Sequence, residues 1–164
     1  MPFYKDFIYP YLVDILGDPP PILKIRQQII PQAQGKVLEI GVGSGANFIH
    51  YNPASVSRLY ALEPNPGMIR LAERQRPKTR LNVEFIDLPG EPIPLDDDSI
   101  DTVVSTFTLC TIPGIADAIR GIARVLKPTA SSSSLNSGSR LILKYNAGKN
   151  NWNQFTTGCF KVYI

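Results

Sequence analysis

The sequence is poor in several things. It has one histidine in 164 residues, His50, and two cysteines, Cys110 and Cys159. No His–Asp pair is evident, so His50 reads as a surface or helix-end residue. Two cysteines this far apart make neither a disulfide framework nor a zinc site, and no metal is expected. Charge of one sign is lacking too. The net charge is only +3, and the Lys and Arg residues are scattered rather than gathered into a stripe, which excludes nucleic acid as the expected partner. No apolar run is long enough to cross a bilayer. The most apolar stretch, "MPFYKDFIYPYLVDILGDPPP", is interrupted by Lys5, Asp6, Pro10 and Asp14. It lacks the basic start and small-residue cleavage site of a signal peptide. Its polar positions carry no cationic face, which disfavours a membrane-surface helix. Residues 1–34 read instead as a helical cap docked on the domain. A reducing, cytoplasmic setting is the simpler expectation.

What remains is ordinary for a globular domain: 43% hydrophobic and 19% charged residues, in a chain long enough for one sizeable core. Strand-like and helix-like segments alternate. "ILKIRQQII" puts Ile22, Ile25 and Ile29 on one helical face, with Pro19–Pro21 before it and Pro31 and Gly35 after. "KVLEI", "RLYALE", "NVEFID", "IDTVVSTF" and "SRLILKY" read as five strands. Asn65 and Pro66 look like the cap and first turn of a helix over Gly67–Gln75. "IPGIADAIRGIARVLKP" is a helix with Ile115, Ala118, Ile119, Ile122, Val125 and Leu126 on its apolar face, stopped by Pro128. "PLDDDS", including Asp96–Asp98, reads as a solvated turn. This alternation predicts βαβ units, an α/β domain and a mostly parallel sheet. The core spans residues 35–128. A Ser-rich loop covers 129–138, and a fifth strand with a short tail covers 139–164.

The informative stretch is "KVLEIGVGSGANFIHY". A strand runs into glycines at alternate positions and then into a helix-like segment. Gly41, Gly43 and Ala46 fit a dinucleotide fingerprint, and the same glycines fit a site for S-adenosylmethionine. Ligands of open parallel sheets bind beyond the carboxyl ends of the strands, where this loop lies. Without Cβ atoms its backbone can turn tightly and touch a ligand. Glu63, at the end of the second strand, suits the two hydroxyls of a ribose in either cofactor. Glu39 separates the two. It stands just before the loop, where it would repel a pyrophosphate but favour the sulfonium and ammonium of S-adenosylmethionine, directly or through water. Its bland alternative is an exposed charge at a strand end.

The motifs "VLEIGVGSGANF", "LYALEPNPGMIRLAE", "PLDDDSIDTVVSTFTLCTI" and "GIARVLKP" resemble, in order, those of class I S-adenosylmethionine-dependent methyltransferases. The nearest group looks like the small-molecule branch that includes the ubiquinone/menaquinone C-methyltransferases. Within it, "SGANFIHYNP", "EPNP" and "TLC" look most like thiol methyltransferases. The resemblance implies a Rossmann-like three-layer α/β/α sandwich with strand order 3-2-1-4-5. It implies S-adenosyl-L-methionine as cofactor and a small-molecule methyl acceptor. Glu39, Gly41, Gly43 and Gly45 would line the methionine half. Glu63 would bind the ribose, and Pro64 and Met68 would pack near the adenine, Met68 otherwise being a core-facing helix residue. Thr106 and Phe107 would face the methionine and the methyl group, and Leu109 and Cys110 would border the acceptor pocket. Cys110 otherwise reads as a small buried hydrophobe. The acid that the family places after its third strand falls here on Pro89. Gly90 and Glu91 fit the rest of that motif, and by the same resemblance Asp87 would be the substitute acid.

The family's usual sixth and seventh strands have no full counterpart before Ile164, so the C-terminal hairpin looks truncated. "CFKVYI" alternates as a strand does, which predicts that Phe160–Ile164 pair with the fifth strand. Otherwise a second copy, in a homodimer, covers that edge. Two further readings compete: a methyltransferase-like protein that binds the cofactor without turnover, and an NAD-dependent oxidoreductase, which Glu39 opposes.

Overall fold

The computed structural model describes residues 19–87, 92–106, 108, 115–128 and 140–144. Helix α1 is Pro20–Ile29, opened by Pro19 and its neighbours and followed by a 3₁₀ turn, Ile30–Gln32. Proline suits a first turn because its missing N–H has no helical partner there. Strand β1 is Gly35–Ile40, β2 is Val56–Leu62 and β3 is Val83–Ile86. Strand β4 is Thr102–Thr106 and β5 is Arg140–Lys144. Helix α2, Pro66–Gln75, lies between β2 and β3. Helix α3, Ile115–Val125, lies between β4 and β5.

The five strands form one sheet in the order β3-β2-β1-β4-β5, and every pairing is parallel. Alternation across each strand divides the core in two. Val37, Leu59, Ala61, Val83 and Val104 face one way, against Ile29 of α1 and Ala72 of α2. Leu38, Ile40 and Val103 face the other way, against Ile122 and Val125 of α3. This is the three-layer α/β/α sandwich, and it explains why "VLEI" and "TVVS" are apolar on both faces.

The starts of β1 and β4 are tied by Asp101. Its Oδ2 accepts from the Lys36 N–H at 2.8 Å, and its Oδ1 accepts from Lys127 Nζ at 2.6 Å. Gly35, at φ +69°, leaves room for this carboxylate, since a Cβ there would lie 2.5 Å from Asp101 Oδ2.

Three expectations need correction. Ile119 is 49% exposed, so the apolar face of α3 is carried by Ile122, Val125 and the residue that follows, Leu126. Leu126 has left the helix and bridges Ile100 in parallel. After the glycine loop there is no α-helix but turns and a 3₁₀ segment, Phe48–His50. The Asn47 side chain is spent on long-range partners (described below), and Pro53 restrains the residue before it, so a helical ladder does not propagate. Most of the N-terminal cap, the Ser-rich loop and the pairing expected of Phe160–Ile164 lie outside the described residues.

Candidate functional site

The loop after β1 has three glycines in the left-handed region, with φ of 73° at Gly41, 58° at Gly43 and 83° at Gly45. Each has its own reason. The Gly41 and Val42 N–H groups donate to Leu62 O at 2.9 and 3.2 Å, folding the loop over the end of β2. A Cβ on Gly41 would collide with the side chain of Thr108. That residue's hydroxyl donates toward Gly41 O and Thr106 O at 3.3 and 3.2 Å. A Cβ on Gly45 would lie 3.0 Å from the Phe48 ring and 3.3 Å from Ala72 Cα. Gly43 differs: among the described residues nothing lies within 4 Å of where its Cβ would be. It is the one of the three whose missing side chain leaves open space, which is where a ligand can approach the main chain.

Glu63 stands beside that space. Its Oε2 accepts from the Gly43 N–H at 2.9 Å and its Oε1 from the Asn65 N–H at 3.0 Å. Two backbone donors therefore fix the carboxylate, and each oxygen keeps a lone pair for a further donor such as a diol. Burial pushes the Glu63 carboxyl up from its ordinary value, while the Gly43 and Asn65 N–H bonds oppose that shift. Asn65 continues the chain of contacts. Its Oδ1 accepts from the Gly67 and Met68 N–H groups at 2.8 and 3.1 Å and caps α2, as its sequence position predicts.

Glu39 is no exposed strand-end charge, being only 1% accessible. Its Oε1 accepts from Asn47 Nδ2 at 2.6 Å and its Oε2 from the Tyr51 hydroxyl at 2.8 Å. Desolvation raises its pKa to about 7, against the lowering effect of those two bonds and of the Arg26 charge. Burial likewise holds the Tyr51 hydroxyl well above its ordinary range, and the neighbouring Glu39 charge adds to this. The cluster extends to Thr106 at the end of β4, whose Oγ1 accepts from Asn47 Nδ2 at 3.1 Å. It extends also to α1, where Arg26 Nη1 donates to Asn47 Oδ1 at 2.7 Å and to Thr106 Oγ1 at 3.0 Å.

Glu39, Gly41, Gly43, Gly45, Glu63 and Thr106 thus converge at the carboxyl ends of β1, β2 and β4. Within that group Glu39 lies beneath the loop, not on an open surface. Pro64 is exposed just past Glu63, and Met68 is buried in the first turn of α2. Gly90, Phe107, Leu109 and Cys110 lie outside the described residues. Arg26, Asn47, Tyr51 and Thr108 had no signal in the sequence beyond their residue types, because their partners are distant in the chain. Among the described residues no cluster of three or more His, Cys, Asp or Glu could hold a metal, and no helix is long and apolar enough to cross a membrane.

A glycine loop over the end of a parallel strand, a main-chain-held carboxylate beside it and strand order 3-2-1-4-5 define a nucleoside-cofactor α/β domain. A family described as a methyltransferase domain matches residues 38–131. The chain belongs to the class I S-adenosylmethionine-dependent methyltransferases, and S-adenosylmethionine is its cofactor. Human thiol S-methyltransferase TMT1B is 39% identical over 101 residues, covering 58% of this chain and 41% of that protein. The ubiquinone/menaquinone biosynthesis C-methyltransferase UbiE of Bartonella tribocorum is 30% identical over 97 residues, covering 57% of this chain and 37% of that one. The chain thus spans about two fifths of the length of the curated relatives it matches. A crystal structure of a SAM-dependent methyltransferase from Aquifex aeolicus shares the fold, with a TM-score of 0.60 and 23% identity over 74% of this chain and 69% of that one.

Proposed function

We propose that this chain transfers the methyl group of S-adenosylmethionine to a small-molecule acceptor, a thiol before a quinol. The observation that carries the reading is the open space above Gly43 next to the main-chain-held carboxylate of Glu63. A cofactor lying there meets the bare main chain of Gly43 and a fixed acceptor for its ribose hydroxyls. The remaining residues divide accordingly. Gly41 and Gly45 let the loop close on Thr108 and on Phe48, and Glu39 sets beneath it a carboxyl that becomes negative as pH rises through about 7. By resemblance to the family, Thr106 and Phe107 would face the methionine end, Pro64, Met68 and Gly90 would serve the adenine, and Leu109 and Cys110 would border the acceptor.

When bound, the cofactor would supply a methyl group activated on a sulfonium: the acceptor would bond to the methyl carbon as the S–CH3 bond breaks and S-adenosylhomocysteine leaves as a neutral thioether. The chain's part is to position both and to place charge. A thiol ionises at about pH 8.5 and needs little help from a base, unlike a neutral hydroxyl or amine. That chemistry, and the 39% identity to a protein named a thiol S-methyltransferase, support a thiol as the first acceptor class to test. The 30% identity to a quinone-pathway C-methyltransferase keeps a quinol as the second acceptor class.

On the same reading residues 35–128 form the cofactor core, residues 1–34 a helical cap and 129–138 a loop. The outer edge of β5 is covered by the tail or by a second copy. Two well-separated cysteines fit a cytoplasmic enzyme. The test is transfer of label from methyl-labelled cofactor to small thiols, quinols and phenols. A labelled thioether from a thiol supports the reading. Cofactor binding with no transfer to any of the three makes the chain a binder and overturns it.

A further inference from the structure

Arg26 lies outside the matched methyltransferase domain, on a helix that the sequence presents as amphipathic packing. Its guanidinium nevertheless reaches the end of the sheet where the glycine loop sits. One nitrogen, Nη1, donates to Asn47 Oδ1 at 2.7 Å and to Thr106 Oγ1 at 3.0 Å. Asn47 belongs to the loop after β1 and Thr106 ends β4, so three elements meet on one atom. Asn47 then passes the contact on, its Nδ2 donating to Glu39 Oε1 at 2.6 Å and to Thr106 Oγ1 at 3.1 Å.

Two features of this cluster exceed what packing requires. Glu39 already has a donor on each oxygen, Asn47 on one and Tyr51 on the other. The guanidinium is therefore not needed to satisfy it, yet a half-buried cation carries a desolvation cost. Thr106 Oγ1 accepts from two N–H donors. A hydroxyl has two acceptor lone pairs and one hydrogen, so its own O–H remains for an acceptor outside the cluster. An anionic ligand group beyond the end of β4, such as a carboxylate, is the kind of acceptor that it would meet.

Resting on the cofactor reading above, we propose that Arg26 is a positioning residue of the cofactor site. It fixes the Asn47 amide and the Thr106 hydroxyl in the orientation that the methionine end of the cofactor meets, and it makes docking of α1 part of the binding site. A planar guanidinium suits this work because one nitrogen can hold two acceptors at fixed angles, which an ammonium does less well. Its charge also bears on Glu39. Among the described residues, the charged and titratable groups facing that carboxylate are Arg26 from α1, Tyr51 after the loop and Glu63 at the end of β2. Arg26 is the only cation of the three, so its removal moves protonation of Glu39 to higher pH.

The experiment is calorimetric titration with S-adenosylhomocysteine of the wild-type chain, Arg26→Met and Arg26→Lys, from about pH 6 to about pH 9, with thermal melts in the absence of ligand. Arg26→Met should bind about tenfold or more weakly, the loss expected when a charge-assisted contact is removed. The acid limb of its affinity profile should move to higher pH. Arg26→Lys restores the charge, so its acid limb should stay near that of the wild type, while the lost two-acceptor geometry leaves it roughly threefold or more weaker. An Arg26→Met protein that melts lower but binds like the wild type at every pH overturns the proposal, because the arginine is then structural only. If Arg26→Met does not fold, wild-type affinity in Arg26→Lys overturns it equally. A wild-type chain that does not bind S-adenosylhomocysteine fails earlier, at the cofactor site itself, and is thereby distinguished.

Discussion

The Tyr51 hydroxyl donates to Glu39 Oε2 at 2.8 Å, and both side chains are buried. The pair joins the strand before the glycine loop to the segment after it, so the loop is held at both ends by one polar contact. An acid in that position is the least comfortable group in the core, and its ionisation can be read from stability.

The Glu39 carboxyl has a pKa raised from 4.5 to about 7 by desolvation. A raised carboxyl pKa means that the folded state holds the proton more tightly than the unfolded chain. Its stabilising effect is therefore complete below about pH 4.5 and is lost as pH rises through about 7. Glu39→Gln keeps a neutral amide there, and Tyr51 can turn to accept from it. Relative to Glu39→Gln, the wild-type chain should lose about 2 to 3 kcal/mol of stability between about pH 5 and about pH 8. Urea unfolding of both proteins at the two pH values measures this. A pH-independent difference would mean that Glu39 does not titrate in the core.

Tyr51→Phe removes one of the two donors from that carboxylate. The cost should be about 1.5–3 kcal/mol at pH values where Glu39 is charged, and about 0.5–1.5 kcal/mol where it is protonated. Equal costs at about pH 5 and about pH 8 would contradict the bond as drawn.

Gly43 and Gly41 should part ways on replacement by alanine. Both have positive φ, so both substitutions carry backbone strain of about 1–2 kcal/mol. At Gly43 the new methyl enters open space, so the fold should survive and affinity for S-adenosylhomocysteine should fall. At Gly41 it collides with Thr108, so stability should fall first. Melting temperatures and binding isotherms on the two variants check the contrast. A Gly43→Ala chain with unchanged affinity would remove this glycine from the cofactor site.

Asp101 is the control at the opposite end of the sheet. It accepts from Lys36 N at 2.8 Å and from Lys127 Nζ at 2.6 Å, far from the loop. Asp101→Ala should cost about 0.5–1.5 kcal/mol of stability, the net worth of an exposed hydrogen bond, by removing the acceptor of the Lys36 N–H. Cofactor affinity, measured well below the melting temperature, should not change. A loss of affinity there would mean that the two ends of the sheet are coupled.

The frame was legible in the sequence because it is local. "VLEI" and "TVVS" are dense in apolar residues, as strands covered on both faces should be. Asn65-Pro66 writes a helix start in two residues. The glycines of "GVGSG" announce a main chain held at positive φ. The cluster around Glu39 was not legible, because burial and pairing across the chain leave no periodic trace. Arg26 looks like a polar position on an amphipathic helix until the fold brings it to Thr106, 80 residues away. Tyr51 could be a core aromatic until Glu39 appears beside it. Ile119 misled for a related reason: helical spacing gives the apolar stripe but not where its border falls against solvent.

The central claim is that a cofactor lies over Gly43 with its ribose on Glu63, and one titration tests it most directly. S-adenosylhomocysteine is titrated into the wild-type chain and Glu63→Ala by calorimetry, with NAD as the control ligand. The account predicts one saturable site for S-adenosylhomocysteine and none for NAD. In Glu63→Ala it predicts an affinity loss of about 1.5–3 kcal/mol for each charge-assisted ribose bond removed. Unchanged affinity in Glu63→Ala, or binding of NAD in preference to S-adenosylhomocysteine, would contradict it.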